Sequence, residues 1–341
     1  MEGWRQIAGR IFLRATVERV LAPGLPFSWR ASWLDLCNRN ERLLAGEDAG
    51  SRICDWQWSS YLEVCRGFPR VGGRLLRHSL RKWPIRHADA PPASRDQPGI
   101  SVVVPVGGKG RLHSFPDVLE SIFGQRDVAF EVIVVEQSET PLHRRLVPPG
   151  AKYIQIDGLQ VNGYNKCACL NAGVRASVAP YVLLHDGDIV VTADYLREIV
   201  RRLDAGFEAV QPVRFLFYLG EKDTLRYIDS GGSKLPARVA EVRQNFAGGS
   251  VALRRDAFWA IGGMDEAFAG WGQEDVEFQD RLRTLHVFRG RFAPAMHLWH
   301  PDIRHSVGRA NRRLSEELSA LDPSVRIARL LARSAPEPGS V

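Results

Sequence analysis

The chain has 341 residues, of which 45% are hydrophobic and 25% are charged. These are ordinary values for a folded globular protein, and they exclude wholesale disorder. The formal net charge is +7, and residues 1–98 carry most of it, with 16 Lys and Arg against 10 Asp and Glu. No apolar run approaches the ~18 residues of a transmembrane helix, and the five cysteines lack CxxC spacing. We therefore expect a protein without a membrane span in a reducing, cytoplasmic setting.

Residues 1–86 form a Trp- and Arg-rich segment, and its apolar spacing predicts helices near 4–21, 30–45, 56–66 and 73–82. We expect a mainly helical N-terminal extension, followed by a Pro-rich linker over 87–98. The basic surplus makes this extension a candidate for peripheral contact with the inner face of a membrane. No basic recognition helix or RNA-binding motif is present, so we expect no nucleic-acid partner.

From Gly99 onward, short β-branched runs alternate with helical segments. Strands are predicted at 100–106, 131–136, 153–156 and 180–185. Helices are predicted at 114–126, 164–177, 193–205 and 255–261, and a C-terminal helical segment and tail follow over 311–341. This alternation predicts an open, doubly wound α/β sheet. Ligands of such sheets bind at the carboxyl ends of the strands, which places 106–109, 136–138 and 186–188 on one rim.

Two carboxylates, Asp186 and Asp188, flank Gly187 at the end of the fourth predicted strand. Carboxylates at the end of a buried strand are costly unless water or a cation compensates them. The pattern suits Mg²⁺ or Mn²⁺ sharing its coordination with phosphate oxygens. A simple turn explains the same triplet, so the motif alone leaves both interpretations open.

Two glycine-containing segments follow. Gly248 and Gly249 precede an apolar run, where they permit close approach of the backbone to a ligand or form a tight turn into a strand. In the second segment, Trp271 stands between glycines just before Glu274 and Asp275. These acids either lie in a helical first turn that stabilises negative charge, or supply a general base beside an aromatic sugar platform.

Two histidines, His297 and His300, stand three residues apart just before Pro301. The proline favours an extended loop over a helix at this point. A neutral imidazole can complete a metal site that carboxylates begin. Because these histidines follow an acidic motif, the sequence favours a role as metal ligands.

Taken in this order, the segments resemble the family 2 glycosyltransferases of the GT-A fold. The second half is similar to the galactosyltransferase-type segment shared with β-1,4-galactosyltransferases, polypeptide N-acetylgalactosaminyltransferases and chondroitin polymerases. The residues that carry the resemblance are 164–173 (YNKCACLNAG), 186–188 (DGD), 248–253 (GGSVAL), 262–263 (GG), 271–275 (WGQED) and 297–301 (HLWHP). The likeness covers about residues 99–305, and we expect the catalytic domain over 99–310.

The resemblance implies a GT-A-type, mostly parallel sheet, a nucleotide-sugar donor, most often a UDP-sugar, and a hydroxyl acceptor. It also implies a divalent cation, Mn²⁺ or Mg²⁺. By position, Asp188 would bind the metal, and Asp186 would contact the metal, its water or the ribose. His297 or His300 would supply a further ligand, with His305 as a third candidate.

The resemblance also implies which residues bind the donor and which residue acts as the general base. Pro105, Val106 and Glu136 would hold the nucleoside of the donor. Asn165 and Lys166 would face its sugar or its phosphates. Gly248 and Gly249 would lie along the donor, and Trp271 would stack on a sugar. Asp275, with Glu274 as the second candidate, would act as general base in a single inverting displacement.

The sequence departs from the family pattern at two places, and two other functions stay open. Many members have an Asp pair after the second strand, where this chain has Glu136-Gln137, and the loop over 106–110 is unusually Gly-rich. The amides of this loop and Lys109 can hold a diphosphate. A sugar nucleotidyltransferase would share the sheet and the acid pair. A non-catalytic docking or scaffold relative would retain the fold alone.

Overall fold

The computed structural model describes residues 32–91, 97–157, 164–270, 272–301 and 308–334. Their strands, in chain order, are β1 Leu43–Ala45, β2 Arg52–Cys54, β3 Ser60–Tyr61, β4 Ile100–Val106, β5 Phe130–Gln137, β6 Lys152–Ile156, β7 Tyr181–His185, β8 Ile189–Val190, β9 Ala209–Val210, β10 Val213–Tyr218, β11 Glu241–Gln244, β12 Ser250–Arg254, β13 Val287–Phe288 and β14 Ala293–His297. Their α-helices are α1 Glu63–Gly67, α2 Pro69–Lys82, α3 Phe115–Phe123, α4 Lys166–Ala176, α5 Tyr195–Asp204, α6 Glu221–Asp229, α7 Arg255–Ala260, α8 Glu274–Leu282, α9 Gly308–Ser319 and α10 Pro323–Ser334.

A central sheet of seven strands runs through the described residues in the order β13-β9-β12-β7-β4-β5-β6. Strand β4 pairs in parallel with β5 and β7, and β5 pairs in parallel with β6. Strand β12 lies antiparallel between β7 and β9. Strands β4 to β7 are the four predicted between residues 100 and 185, so the expected mostly parallel α/β sheet is confirmed.

Alternate side chains of the central strands enter two hydrophobic clusters, one on each face of the sheet. In β4, Val102 and Val104 belong to the first cluster and Val103 to the second. Helix α4 packs closely on the second face because Gly173 has no side chain; a Cβ there would lie 2.2 Å from Val103 Cγ1. Burial on both faces explains why these strands read as continuous β-branched runs in the sequence.

A second sheet lies beside the first, in the order β3-β11-β10-β14-β8. Strands β10 and β14 pair in parallel, and β14 pairs antiparallel with β8. In that last pairing His297 lies opposite Ile189, which brings the end of β14 to the turn that follows β7. The topology of this sheet therefore places a predicted histidine beside the predicted acid pair.

The described part of the N-terminal extension is not mainly helical. Strands β1 and β2 form a hairpin and residues 33–35 a short 3₁₀ turn, where the sequence predicted a helix over 30–45. Between 56 and 66 the helix is confined to the start of α1, whereas α2 confirms the helix near 73–82. The helix predicted over 30–45 is wrong at its C-terminal end because the turn from Gly46 to Gly50 closes a hairpin. The cross-strand hydrogen bonds of this hairpin replace helical ones. The helix predicted at 4–21 lies outside the described residues.

The extension is built into the same core as the sheets. Trp33 packs against Phe215 with ring centroids 5.8 Å apart. The fully buried Arg214 of β10 donates hydrogen bonds to the carbonyls of Leu34 and Leu36. Removing residues 32–86 would therefore open the core. Within the described ranges, no helix has the length and apolar character needed to cross a membrane.

Candidate active site

Three segments meet at the carboxyl edge of the central sheet: the turn after β7, the end of β14 and the start of α8. The N–H of Asp186 donates to the carbonyl of Gly249 over 2.9 Å, and the carbonyl of Asp188 accepts from the N–H of Leu298 over 2.9 Å. These backbone bonds fix the acid turn between β12 and β14. Of the rim predicted from strand order, this edge holds the acid turn, and residues from both sheets meet there.

Asp188, His297 and His300 form a compact cluster whose ligand atoms all lie within 4.8 Å of one another. His297 Nε2 is 3.7 Å from Asp188 Oδ1, and His300 Nε2 is 3.3 Å from Asp188 Oδ2. Asp188 Oδ1 is buried, and none of the described residues gives it a hydrogen bond. A buried carboxylate oxygen with two imidazole nitrogens is a fitting donor set for a divalent cation. His305 lies outside the described residues.

The surroundings of the two histidines suit this role. His300 Nδ1 is 3.0 Å from the carbonyl oxygen of Pro301, and the neutral tautomer that donates to this carbonyl leaves the lone pair of Nε2 for a cation. The ring of His297 stacks on Tyr218 with centroids 4.2 Å apart. Burial lowers the pKa of His297, which favours the neutral, ligating form.

Arg111 enters the cluster from the turn before α3, a contact that sequence reasoning missed. Its Nε donates to Asp188 Oδ2 over 2.6 Å, and its Nη2 lies 3.3 Å from His300 Nε2. Burial raises the pKa of Asp188, but its interactions with His297, with the charged Arg111 and with His300 hold that pKa well below the ordinary value. Lys109, the predicted cation of the Gly-rich loop, is exposed. The sequence signal for the contact of Arg111 with Asp188 was a basic residue shortly after the Gly-rich loop.

Lys166 lies at the centre of a second group of charged side chains, in which three acids surround it. Its Nζ is 2.8 Å from Asp186 Oδ1, 3.2 Å from Asp275 Oδ1 and 3.8 Å from Glu274 Oε1. Although burial lowers the pKa of Lys166, these acids raise it well above the ordinary value, so the ammonium stays charged. One partly buried cation thus compensates acids from two separate elements.

Asp275 and Glu274 stand in the first turn of α8 with different exposure. The side chain of Asp275 is 28% exposed and that of Glu274 is 10% exposed, so Asp275 is the more accessible to an acceptor. Burial, followed by the charge of Asp275, raises the pKa of Glu274 to about 7. Burial also raises the pKa of Asp275, against the opposing effect of Lys166. Raised pKa values make carboxylates better bases near neutral pH.

Comparison with known proteins supports the resemblance seen in the sequence. Residues 101–262 match the family model described as glycosyl transferase family 2. Residues 238–300 match the model described as the N-terminal domain of galactosyltransferase. Over these residues the chain is similar to the family 2 glycosyltransferases. The enzyme class and both parts of the resemblance seen in the sequence are confirmed by these matches, which span the acid turn, the glycine pair and the two histidines.

Several relatives are similar to this glycosyltransferase over part of their length. Chondroitin synthase of Escherichia coli is 22% identical over 54% of this chain and 32% of its own length. Validoxylamine A glucosyltransferase of Streptomyces hygroscopicus subsp. limoneus is 25% identical over 71% of this chain and 57% of its own. The chain thus spans about a third to somewhat over half of these relatives. A mannosyltransferase from Pyrobaculum calidifontis, solved with GDP-Man and Mn²⁺, aligns with a TM-score of 0.43 and 19% identity, covering 79% of this chain and 74% of that one.

Two residues assigned to the donor by the family resemblance have their polar atoms engaged within the chain. Both carboxylate oxygens of the fully buried Glu136 accept hydrogen bonds, from the N–H groups of Leu142 and His143 and from the hydroxyl of Tyr153. Asn165 caps α4 by accepting from the N–H of Ala168, and its amide donates to the carbonyl of residue 266. These contacts hold the loop after β5 and the start of α4, so the proposal below does not use either side chain for the donor.

The other predicted donor residues line or support the acid turn. Pro105 and Val106 are buried at the end of β4, and a Cβ on Gly187 would lie 3.1 Å from Val106 Cγ1. Gly248 packs against Asp275, where a Cβ would meet Oδ2 at 2.0 Å. Gly249 has a φ of +87°, which favours glycine. Trp271 lies outside the described residues.

Asn311 of α9 is a supporting residue that the sequence did not reveal. Its buried amide donates to the carbonyls of Ala269 and Gly272 over 3.0 and 2.9 Å. These two bonds hold the loop that leads into α8, where Gln273 has a left-handed φ of 76°. The C-terminal helices therefore help to position Asp275, although no motif in the sequence links them to the site.

Proposed function

We propose that this glycosyltransferase moves a sugar from a nucleoside-diphosphate sugar, a UDP-sugar, to an acceptor hydroxyl with inversion at the anomeric carbon. The observation that carries the proposal is the position of Asp275 beside the acid turn, tied through Lys166 to Asp186, two residues from the Asp188 cluster. A cation-binding cluster and an accessible base are thus held at one edge of the sheet. A base that activates the hydroxyl and a cation that stabilises the diphosphate leaving group both favour such a transfer.

Asp188, His297 and His300 would hold the cation, Mn²⁺ or Mg²⁺. The unpartnered Asp188 Oδ1 and the lone pair of His300 Nε2 support this assignment. When bound, the cation would neutralise charge on the diphosphate of the donor. Asp186, 26% exposed, stands next to this cluster for contact with the ribose or with a coordinated water.

Lys166 would stabilise the leaving group. Its ammonium is charged and fixed at the first residue of α4, so a donor diphosphate can replace part of its interaction with the acids. A positioned positive charge that meets developing negative charge stabilises the transition state at little reorganisation cost. We expect this residue to contribute to both donor affinity and turnover.

Asp275 would act as general base, with Glu274 as the second candidate. Its carboxylate takes the proton of the acceptor hydroxyl, whose oxygen forms a bond to the anomeric carbon. The bond from that carbon to the diphosphate oxygen breaks, and its electron pair leaves with the nucleoside diphosphate. Attack and departure on opposite faces invert the configuration. General-base assistance of this kind is worth about 10²–10⁴-fold.

The test is a panel of nucleotide sugars incubated with the full chain and Mn²⁺, with hydrolysis and binding as readouts. We expect one donor to be consumed, with release of the nucleoside diphosphate. A parallel incubation with sugar 1-phosphates and nucleoside triphosphates tests the nucleotidyltransferase alternative. Release of pyrophosphate there, with every nucleotide sugar left intact, would contradict the proposal. If neither incubation yields product and a nucleotide sugar nevertheless binds, the result would favour a non-catalytic relative.

We also propose that the basic N-terminal residues make peripheral contact with an anionic membrane surface, outside the catalytic domain proposed over 99–310. The supporting observation is the charge surplus of residues 1–98. Because residues 32–86 are part of the core, the clean deletion is 1–31. Sedimentation with phosphatidylserine vesicles at low salt should be lost in that variant and retained in the full chain. Equal sedimentation of both would contradict the contact.

A further inference from the structure

Arg111 bonds two of the three side chains that we assign to the cation. Its Nε donates to Asp188 Oδ2, and its Nη2 faces His300 Nε2, the nitrogen that presents a lone pair. The guanidinium therefore uses electron pairs that a divalent cation would also need. The Arg111 side chain is 22% exposed, whereas that of Asp188 is 4% exposed, so the arginine is the more accessible member of the pair.

The main chain of Arg111 is anchored, while the loop before it is open. Its carbonyl accepts from the N–H groups of Ser114 and Phe115 at the start of α3. On the other side, a Cβ at Gly108 or Gly110 would meet no atom within 4 Å. The side chain can therefore leave Asp188 without displacing α3 or the strand that precedes the loop.

We propose that Arg111 and the divalent cation compete for Asp188 and His300, so that the cation binds when Arg111 withdraws. Two positive groups on one carboxylate and one imidazole repel each other, and His300 Nε2 has a single lone pair to offer. Arg111 thus acts as an internal cation that keeps the buried Asp188 compensated. This inference rests on the proposed function, because it takes the Asp188 cluster as the cation site.

The first test is a titration of the full chain with Mn²⁺, without nucleotide, followed by electron paramagnetic resonance of the free ion. Arg111→Met should bind Mn²⁺ at least tenfold more tightly than the wild type. Arg126→Met, which removes an arginine paired with Asp194 at 2.6 Å outside the site, is the matched control and should bind as the wild type does.

The outcomes separate this inference from the proposed function. Weaker Mn²⁺ binding by Arg111→Met would overturn the competition and make Arg111 a support of the site. Equal binding would overturn it as well. A wild-type chain that binds no Mn²⁺ would overturn the cation site itself, and this inference with it.

A second measurement uses the wild type alone and does not depend on folding of a variant. Phenylglyoxal modifies accessible guanidinium groups, and mass spectrometry of the peptides locates the label. Labelling of Arg111 should rise several-fold when Mn²⁺ is added. Arg126 is the internal control: its Nε lies 2.6 Å from Asp194 Oδ1, and the pair is outside the site. The labelling of Arg126 should not change. Unchanged or lower labelling of Arg111 in Mn²⁺ would overturn the proposal.

Discussion

Lys166 Nζ lies 2.8 Å from Asp186 Oδ1 and thereby joins the first residue of α4 to the turn after β7. The same nitrogen reaches Asp275 and Glu274 in the first turn of α8. Three elements that are distant in sequence thus share one compensating charge. Removal of that charge should affect both the stability of the fold and the binding of an anionic donor.

Lys166→Met should lower stability at pH 7 by about 3 kcal/mol, because it leaves the buried Glu274 and the partly buried Asp186 and Asp275 without their cation. The pKa values of these acids then rise, and the folded protein binds more protons than the unfolded chain. Stability should therefore recover in part as the pH falls to about 5. Denaturant unfolding at several pH values measures this. Lys152→Met, at an exposed lysine bonded to the carbonyl of Ala176, is the control. A Lys166→Met variant as stable as the control at pH 7 would contradict this account.

Asp275→Asn should retain donor binding and lose turnover by about 10²–10⁴-fold, because it removes the base and leaves the Asp188 cluster intact. Calorimetry of the donor and product formation measure the two effects separately. Asp280→Asn, further along the same helix, removes an acid that pairs with Arg283 and should keep most of the activity. Donor binding lost together with activity would instead indicate a structural role for Asp275.

Gly248→Ala should reduce turnover by at least tenfold, since the new Cβ would overlap Asp275 Oδ2 and force the carboxylate to move. Mn²⁺ affinity should stay within about twofold, because the ligand cluster is not touched. Gly110→Ala is the control, as a Cβ there meets nothing within 4 Å. Full activity in Gly248→Ala would show that the position of Asp275 is not required.

Glu274→Gln should change the pH dependence of stability. The pKa of Glu274 is raised to about 7 in the folded protein, so folding favours its protonated form and the carboxylate costs stability as the pH rises from about 4.5 to 7. At about 1.4 kcal/mol per unit, the full shift is worth about 3 kcal/mol. The variant should thus gain stability relative to the wild type across this window and keep the gain above it. A constant difference between pH 4 and 8 would refute the shift.

The central sheet could be predicted because its strands are buried on both faces. The run from Ile100 to Val106 is apolar throughout, and no competing local pattern exists there. The stretch over 30–45 could not be predicted in the same way. Its conformation depends on the buried Arg214, which lies far along the chain and binds the carbonyls of Leu34 and Leu36. Local spacing carries no information about such a partner.

The candidate site, like the fold, could be predicted from the sequence only in part. The order of the motifs, through the resemblance to a known family, is enough to predict that Asp188, His297 and His300 share one site. The contact of Arg111 with Asp188 depends on how the turn before α3 folds onto the rim, which no motif encodes. Glu136 was assigned by position alone, while the loop after β5 returns to bind its carboxylate.

Binding of UDP in the presence of Mn²⁺ or EDTA, measured by calorimetry on the wild type and on Asp188→Ala, tests the central claim most directly. Asp194→Ala is the matched control, since Asp194 also pairs with an arginine at 2.6 Å but lies away from the site. We predict that Mn²⁺ strengthens UDP binding at least tenfold in the wild type and the control, and that Asp188→Ala loses this gain. An Asp188→Ala variant that retains the full gain in Mn²⁺ would contradict the assignment of the cation site.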